Sequence, residues 1–568
     1  MFIKKKKLML TVILALSFMM LIGGVISAKE LTVIATSDIH GSIYPWSYKI
    51  GESDDIGIAK IAAMVKEAKN ENPNLLLVDA GDTIQGNTLT ALFKDRRDVV
   101  HPMMKVMNQM GYSAMVLGNH EFNFGLETQQ EILADADFPI LSANTIVKET
   151  GEPFAKPYTI KEIDGVKVGI LGLTTTNIPI WDGDKVDSLE FKDMDQAAAE
   201  YMPELEEKAD IIVALVHAGL EGRHDPSGGD KARKVAENNP EIDLMITGHD
   251  HDPVNEVVNG VLVMASKDAG EQASKIKMTL SEQNGKWVVD SKEGTHLEAA
   301  DYEADPETLA VAEPYHNEVV EYVNTPIGHA TGDFTPADPV AGIPAAQVQD
   351  TAVLDLINRV QLENTGADIS SAALFVADST INQGPVSIKD AARIYKYSNT
   401  LYAVEITGAE LKKYLESTAA YYNTYQPGDI TISFDPEIRG YAYDMFQGVD
   451  YKIDISEPVG QRIKDLRFNG EPVRDDQTFK LAVNNYRYSG MKSDGIFSND
   501  PYFKSEAGIR EMIIDYIDQK EEINPEEIVD HNWEIVGADL DHRYKDQAYS
   551  LINEGVLEIP SINRSWNG

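Results

Sequence analysis

A chain of 568 residues is too long for one hydrophobic core, so its length predicts two or more domains. With 92 acidic against 50 basic residues and a formal net charge of −42, it lacks the basic face of a general nucleic-acid binder, though not the means to bind a small phosphate-bearing molecule through metal ions. A hydrophobic content of 43% is ordinary for a globular protein, and the absence of cysteine excludes disulfides and a lipid-attached cysteine, so stability must come from packing, bound metal or both.

The chain starts MFIKKKKLMLTVILALSFMMLIGGVISAKE. Lysines 4 to 7 precede an apolar run to about Ile26, and the small residues Ser27 and Ala28 follow. This pattern predicts a secretory signal over 1–28, cut after Ala28, and hence a secreted, cell-wall or periplasmic protein with no stable membrane anchor. An uncleaved anchor is the alternative, since the run is long enough to span a bilayer.

A first domain is expected over 29–325. Its runs LTVIATSD (31–38), NLLLVDAGD (74–82), YSAMVLGNH (112–120), KVGILGLTT (167–175), DIIVALVHAG (210–219) and LMITGHDH (244–251) read as strands. Helical patterns such as IAKIAAMVKEAKN (58–70) lie between them, and the alternation means an α/β domain. Strand-rich sequence follows from Gly260 to about His296, and Asp305-Pro306 opens a helix to about Val323, with aspartate as cap and proline in the first turn. The proline- and glycine-rich stretch 326–349 reads as the connection into a second domain over 350–540, of mixed α+β character and rich in tyrosine. Residues 541–568 form an extension with a terminal helix and strand.

Five of the six runs end in residues able to bind metal: Asp38 and His40, Asp82, Asn119 with His120, His217, and His249 with His251. In an α/β sheet the carboxyl ends of parallel strands gather along one edge, where ligands bind. The chain has twelve histidines, and five of them fall in these endings, which single motifs of this kind would not produce by chance. The other seven, His101, His224, His316 and His531 among them, read as surface or structural. A shell of aspartate, amide and imidazole suits Mn, Zn, Fe or Co rather than Cu(I). It holds too many ligands for one ion, and a carboxylate can bridge two ions about 3.5–4 Å apart, the spacing that clamps a phosphoryl group.

The motifs D-x-H (Asp38, His40), G-D-x-x-Q-G (Gly81 to Gly86), G-N-H-E (Gly118 to Glu121), the isolated His217 and G-H-x-H (His249, His251) resemble those of the calcineurin-like metallophosphoesterases. Over nearly the whole mature chain the sequence is similar to the secreted two-domain 5′-nucleotidase family, through IYKYSNTLYAVEITGAELKKYLE (394–416), IKDLRFNGEPV (463–473) and LAVNNYRYSG (481–490). Within the family it most resembles the 2′,3′-cyclic-nucleotide 2′-phosphodiesterases that also act as 3′-nucleotidases. The resemblance implies an N-terminal metallophosphoesterase β-sandwich flanked by helices, followed by a C-terminal substrate domain.

The resemblance also implies roles. Asp38, His40, Asp82 and His251 would hold one divalent ion, and Asp82, Asn119, His217 and His249 the other, with Asp82 as bridge. His120 would stabilise charge on the phosphate or assist proton transfer rather than bind metal. Asn123 stands where 5′-nucleotidases usually carry the aspartate that orients this histidine. Its amide oxygen can accept the same hydrogen bond without a charge, or the residue can merely cap the next turn. Tyr397 and Tyr486 match the two rings that sandwich the base, and Asp494 resembles a sugar-contacting acid. The arginine that 5′-nucleotidases often carry in a glycine-arginine turn is absent from the comparable stretch FVADSTINQG (375–384).

The expected protein is therefore a hydrolase of 2′,3′-cyclic and 3′-nucleotides. A 5′-nucleotidase or nucleotide-sugar hydrolase on the same scaffold is the first alternative. A nucleoside-binding surface protein with a vestigial enzyme half is the second, against which the intact ligand set speaks.

Overall fold

The computed structural model describes residues 28–48, 51–222, 231–376, 379–397, 399–540 and 543–557. All but the last residue of the expected signal segment lies outside these ranges, as do His224 and the strand expected near the C-terminus; the helix expected there is Lys545–Asn553. Among the described residues no helix is long and apolar enough to cross a membrane.

The six apolar runs become β1 (Ala28–Thr36), β2 (Leu75–Asp79), β3 (Ala114–Val116), β4 (Val166–Thr174), β5 (Ile211–His217) and β6 (Leu244–Thr247). They divide between two sheets. In the first, β1, β2 and β3 run parallel between the antiparallel strand Gln272–Gln283 and the short strand Ile140–Leu141. In the second, β6, β5 and β4 run parallel, with Val261–Ala265 beyond β6 and Tyr158–Ile163 beyond β4. Parallel strands covered on both faces read as continuous apolar runs, which is why these six are visible in the sequence.

The two sheets pack face to face. Val33, Val78 and Val116 of the first meet Ile170, Val213 and Ile246 of the second in one buried cluster. Helices Ile58–Glu71, Pro102–Met110 and Pro306–Val323 cover the outer face of the first sheet. Met194–Lys208 and Ala232–Asn238 cover that of the second. The helix read from Asp305-Pro306 forms as expected, its Asp305 carboxylate accepting from Thr308 N at 2.9 Å.

The second half has a five-stranded sheet, ordered Met445–Gln447, Ile369–Ala372, Thr478–Asn484, Thr400–Thr407 and Pro501–Gly508. Strand Thr478–Asn484 runs into the helix Asn485–Ser493, which Asn484 caps by accepting from Arg487 N at 2.7 Å. That helix packs against the short helix Ile178–Asp182, which follows β4 in the first half. The contact sets Tyr486, in the first turn, on the cleft between the halves.

Candidate metal centre and active site

The site is assembled from the turns that leave β1, β2, β3, β5 and β6. Thirteen described non-glycine residues adopt positive φ, and five of them are Asp38 (55°), His40 (50°), Asp82 (59°), His249 (75°) and His251 (57°). Each costs roughly 1 kcal/mol or more of backbone strain, tolerated where the surroundings over-determine the conformation. Glycine is required beside them: a Cβ on Gly118 would collide with the Asp82 carboxylate, and one on Gly248 with Ser37 and Asp38.

Two donor groups result. Asp38, His40 and His251 bring one ligand atom each within 4.8 Å of one another, and Asp82, His217 and His249 do the same. Asn119 joins the second group, its Oδ1 lying 3.1 Å from His217 Nε2. Asp82 Oδ2 stands 3.1 Å from the same nitrogen and 3.9 Å from His120 Nε2. The turns are also tied together, since His249 N donates to both oxygens of Asp38 at 3.1 Å and His120 N to Asp82 Oδ1 at 2.7 Å.

The hydrogen bonds behind the ligands test whether metal ions fit. His40 Nδ1 bonds the Gln85 carbonyl at 2.8 Å, and His217 Nδ1 the Ala80 carbonyl at 2.7 Å. Each bond makes Nδ1 the donor and leaves a lone pair on Nε2, the tautomer a metal ligand needs. His40 Nε2 then faces His251 Nε2 at 3.3 Å, and His217 Nε2 faces two oxygen acceptors. Lone pairs converging in a buried site repel unless a cation lies among them. Burial pulls the His217 imidazole down, but the Asp82 and Asp38 carboxylates push it up to about 10. The pocket therefore favours positive charge at this point, which divalent ions supply as well as a proton. Burial and the nearby His120 pull His40 down to about 4, so it meets an ion as neutral imidazole.

His120 stands apart in how it is held. It comes within the same 4.8 Å of His40 and Asp82, so distance alone does not bar it from a ligand role. Its Nδ1, however, bonds a side chain, Asn123 Oδ1, at 2.6 Å. Asn123 Nδ2 in turn donates to the buried Asp182 carboxylate at 3.1 and 3.2 Å, and Lys185 Nζ lies 3.8 Å from Asp182 Oδ1. The orienting arm has a charge after all, one residue further back.

Sequence motifs do not single out Asp182, because it follows the one run without a metal residue at its end. Trp181, beside it, sets its ring 5.2 Å from that of His249. Glu121 stands in the sequence only as the last letter of a motif. Fully buried, it accepts from Gly118 N (2.6 Å), Asp82 N (2.9 Å), Thr83 N (2.7 Å) and Ile84 N (3.2 Å), and so clamps the β2 and β3 turns together.

A cleft of about 390 Å³ between the halves joins this centre to Tyr397 and Tyr486. The Tyr397 ring meets Phe375 edge-on at 4.9 Å, and Tyr486 is 39% exposed. Lys185, Lys396 and Arg439 line the cleft and supply positive charge from outside the stretch that lacks the glycine-arginine turn. Arg487 lies there too, but its Nε is 2.5 Å from the buried Asp444 carboxylate. Asp494, expected to contact the sugar, is exposed at the C-terminal end of the helix that begins with Asn485 and is not among the residues that line the cleft. Of the other histidines, His101 is buried and His316 stacks on Tyr44 at 3.9 Å, both structural.

Two packed sheets with this centre at their strand ends define a metallophosphoesterase, and the family models agree. Calcineurin-like phosphoesterase matches residues 31–253, and the 5′-nucleotidase C-terminal domain matches 326–498. The chain belongs to this two-domain family of metal-dependent phosphoesterases. It is 30% identical to a 2′,3′-cyclic-nucleotide 2′-phosphodiesterase/3′-nucleotidase of Haemophilus influenzae, over 93% of this chain and 92% of that protein. It is 31% identical to the trifunctional nucleotide phosphoesterase protein YfkN of Bacillus subtilis over 89% of this chain, which spans 39% of that relative's length. A putative 5′-nucleotidase of Staphylococcus aureus shares the fold with a TM-score of 0.77 at 23% identity, over 89% of this chain and 100% of that one.

Proposed function

We propose that the protein is a secreted nucleotide phosphoesterase that opens 2′,3′-cyclic nucleotides at the 2′ bond and then removes the 3′ phosphate. Asp38, His40 and His251 would hold one divalent ion and Asn119, His217 and His249 the other, with the Asp82 carboxylate available to both. When bound, the ions offset the phosphate charge and make a water-derived nucleophile available near neutral pH. His120 gives its Nε2 proton to the 2′ oxygen as the P–O bond breaks, and in the second reaction to the departing 3′ oxygen. Asn123 fixes the ring by accepting from Nδ1. Tyr397 and Tyr486 stack the base, which is worth ~1–3 kcal/mol and favours no particular base strongly.

The observation that carries this choice is the 2.6 Å bond from His120 to a neutral amide. An amide supports an imidazolium less than a carboxylate does, which suits the opening of a strained cyclic diester better than the poor leaving group of any nucleotide monoester, so this bond favours the first of the two reactions. Assaying 2′,3′-cyclic AMP, 3′-AMP and 5′-AMP side by side with Mn²⁺ tests it. The first two are expected to turn over fastest, and a clear preference for 5′-AMP overturns the reading.

A further inference from the structure

Far along the chain from the metal centre, three carboxylates meet that the nucleotide site does not use. Asp350 precedes the helix Ala352–Thr365, Asp355 lies in its first turn, and Asp530 sits 175 residues beyond Asp355, just before the strand Trp533–Val536. Each brings one oxygen within 4.8 Å of the others. Backbone bonds fix the arrangement: Asp530 N donates to Asp355 at 2.9 Å, and Asn532 N to Asp350 at 3.3 Å and to Asp530 at 3.2 Å.

Acidic residues at a turn do not by themselves make a site. Here two buried amides point further. Gln447 is 6% exposed, and its Nε2 donates to Asp530 Oδ2 at 3.1 Å, so its head group lies against the cluster; the Oε1 of that same amide has no hydrogen-bond partner among the described residues. Asn532 is 8% exposed, and its Nδ2 is fixed on the Phe446 and Val449 carbonyls at 2.6 and 2.8 Å. Its Oδ1 is likewise without a partner among the described residues. Buried acceptors normally find donors; Gln447 Oε1 does not, on an amide that touches the carboxylates, and neither does Asn532 Oδ1, on a residue whose N–H bonds two of them. The nearby Arg359 is turned to the Ile528 carbonyl, 2.9 Å away.

We propose that Asp350, Asp355 and Asp530, with the side-chain oxygens of Gln447 and Asn532, form a structural calcium site. The donors are all oxygen, and among the described residues no imidazole joins the group, which distinguishes it from the mixed shell of the catalytic centre. Calcium accepts carboxylates and amide carbonyls in irregular, high-coordination geometry, whereas magnesium demands a near-ideal octahedron. Bound there, it ties the start of the substrate domain to its last strand in a chain that has no cysteine to do so.

The test is calcium titration of the full chain, freed of divalent ions, with thermal unfolding and Trp-sensitised terbium luminescence as readouts; Trp533 adjoins Asn532. Wild type and Asp82→Asn are expected to gain about 5 °C at one hundred times the calcium dissociation constant. Asp355→Asn should show no gain. The exposed Asp530→Asn, which keeps the turn-forming Oδ1, should bind calcium at least tenfold more weakly and terbium likewise. No calcium-dependent gain in wild type, or an equal gain in Asp355→Asn and Asp530→Asn, overturns the proposal.

Discussion

Replacing Asn123 with aspartate sets a second carboxylate against Asp182. The Asn123 amide nitrogen lies 3.1 and 3.2 Å from the two Asp182 oxygens, Asp182 is buried and Asn123 partly so, and a favourable bond becomes a repulsion. Two unit charges about 4 Å apart at an effective dielectric of about 20 repel by ~4 kcal/mol. Lys185, 3.8 Å from Asp182, offsets part of this, leaving about 2–3 kcal/mol. Asn123→Asp is therefore expected to destabilise the fold by that amount and to slow turnover, rather than simply to strengthen the hold on His120. Asp182→Asn alone removes the charge behind Asn123 and should also slow turnover while leaving metal content unchanged. Combining Asn123→Asp with Asp182→Asn restores one charge and one amide in reversed order and should recover most of the stability. The assay is a double-mutant cycle by urea unfolding, with turnover of 3′-AMP and 2′,3′-cyclic AMP measured beside it. A coupling energy of about 2 kcal/mol or more is expected; strict additivity, within about 0.5 kcal/mol, refutes the relay from His120 through Asn123 to Asp182.

His217→Ala should lose bound metal, whereas His120→Ala should keep both ions and react about 10²–10⁴-fold more slowly; elemental analysis beside kinetics decides, and equal metal loss in both contradicts the division into ligand and proton donor. Glu121→Gln sets an amide donor against two of the four backbone N–H groups that the carboxylate now serves. It should cost about 2–4 kcal/mol by denaturant unfolding and lower metal affinity. Tyr397→Ala and Tyr486→Ala should raise KM about 5- to 100-fold with metal content intact; an unchanged KM in both removes base stacking from the account. Burial holds His101 down to about 3, against 6.5 when exposed, so the unfolded chain takes the proton first. Stability is then complete above pH 6.5 and falls as the pH drops toward 3, by up to ~1.4 kcal/mol per unit from this residue. His101→Phe should remove that share of the slope in unfolding measured against pH.

The strands and the seven candidate metal ligands are legible in the sequence because both follow from local rules. Short apolar runs alternating with helical patterns read as buried strands, parallel strands bring their carboxyl ends to one edge, and glycines beside Asp82 and His249 mark sharp turns. The helix from Pro306 is equally legible, since its cap and first turn lie within three residues of each other. What the sequence could not decide are contacts between turns that only packing brings together. Asp182 reads as one of many surface acids until the helix after β4 folds back on Asn123, 59 residues away. Glu121 shows its use only when two turns present four N–H groups to one carboxylate. Asp350, Asp355 and Asp530 form no motif, being joined across 175 residues by the closing of the substrate domain. Residue types and spacing thus determined which chemistry this chain can host, and the tertiary structure alone decided which charges stand behind it.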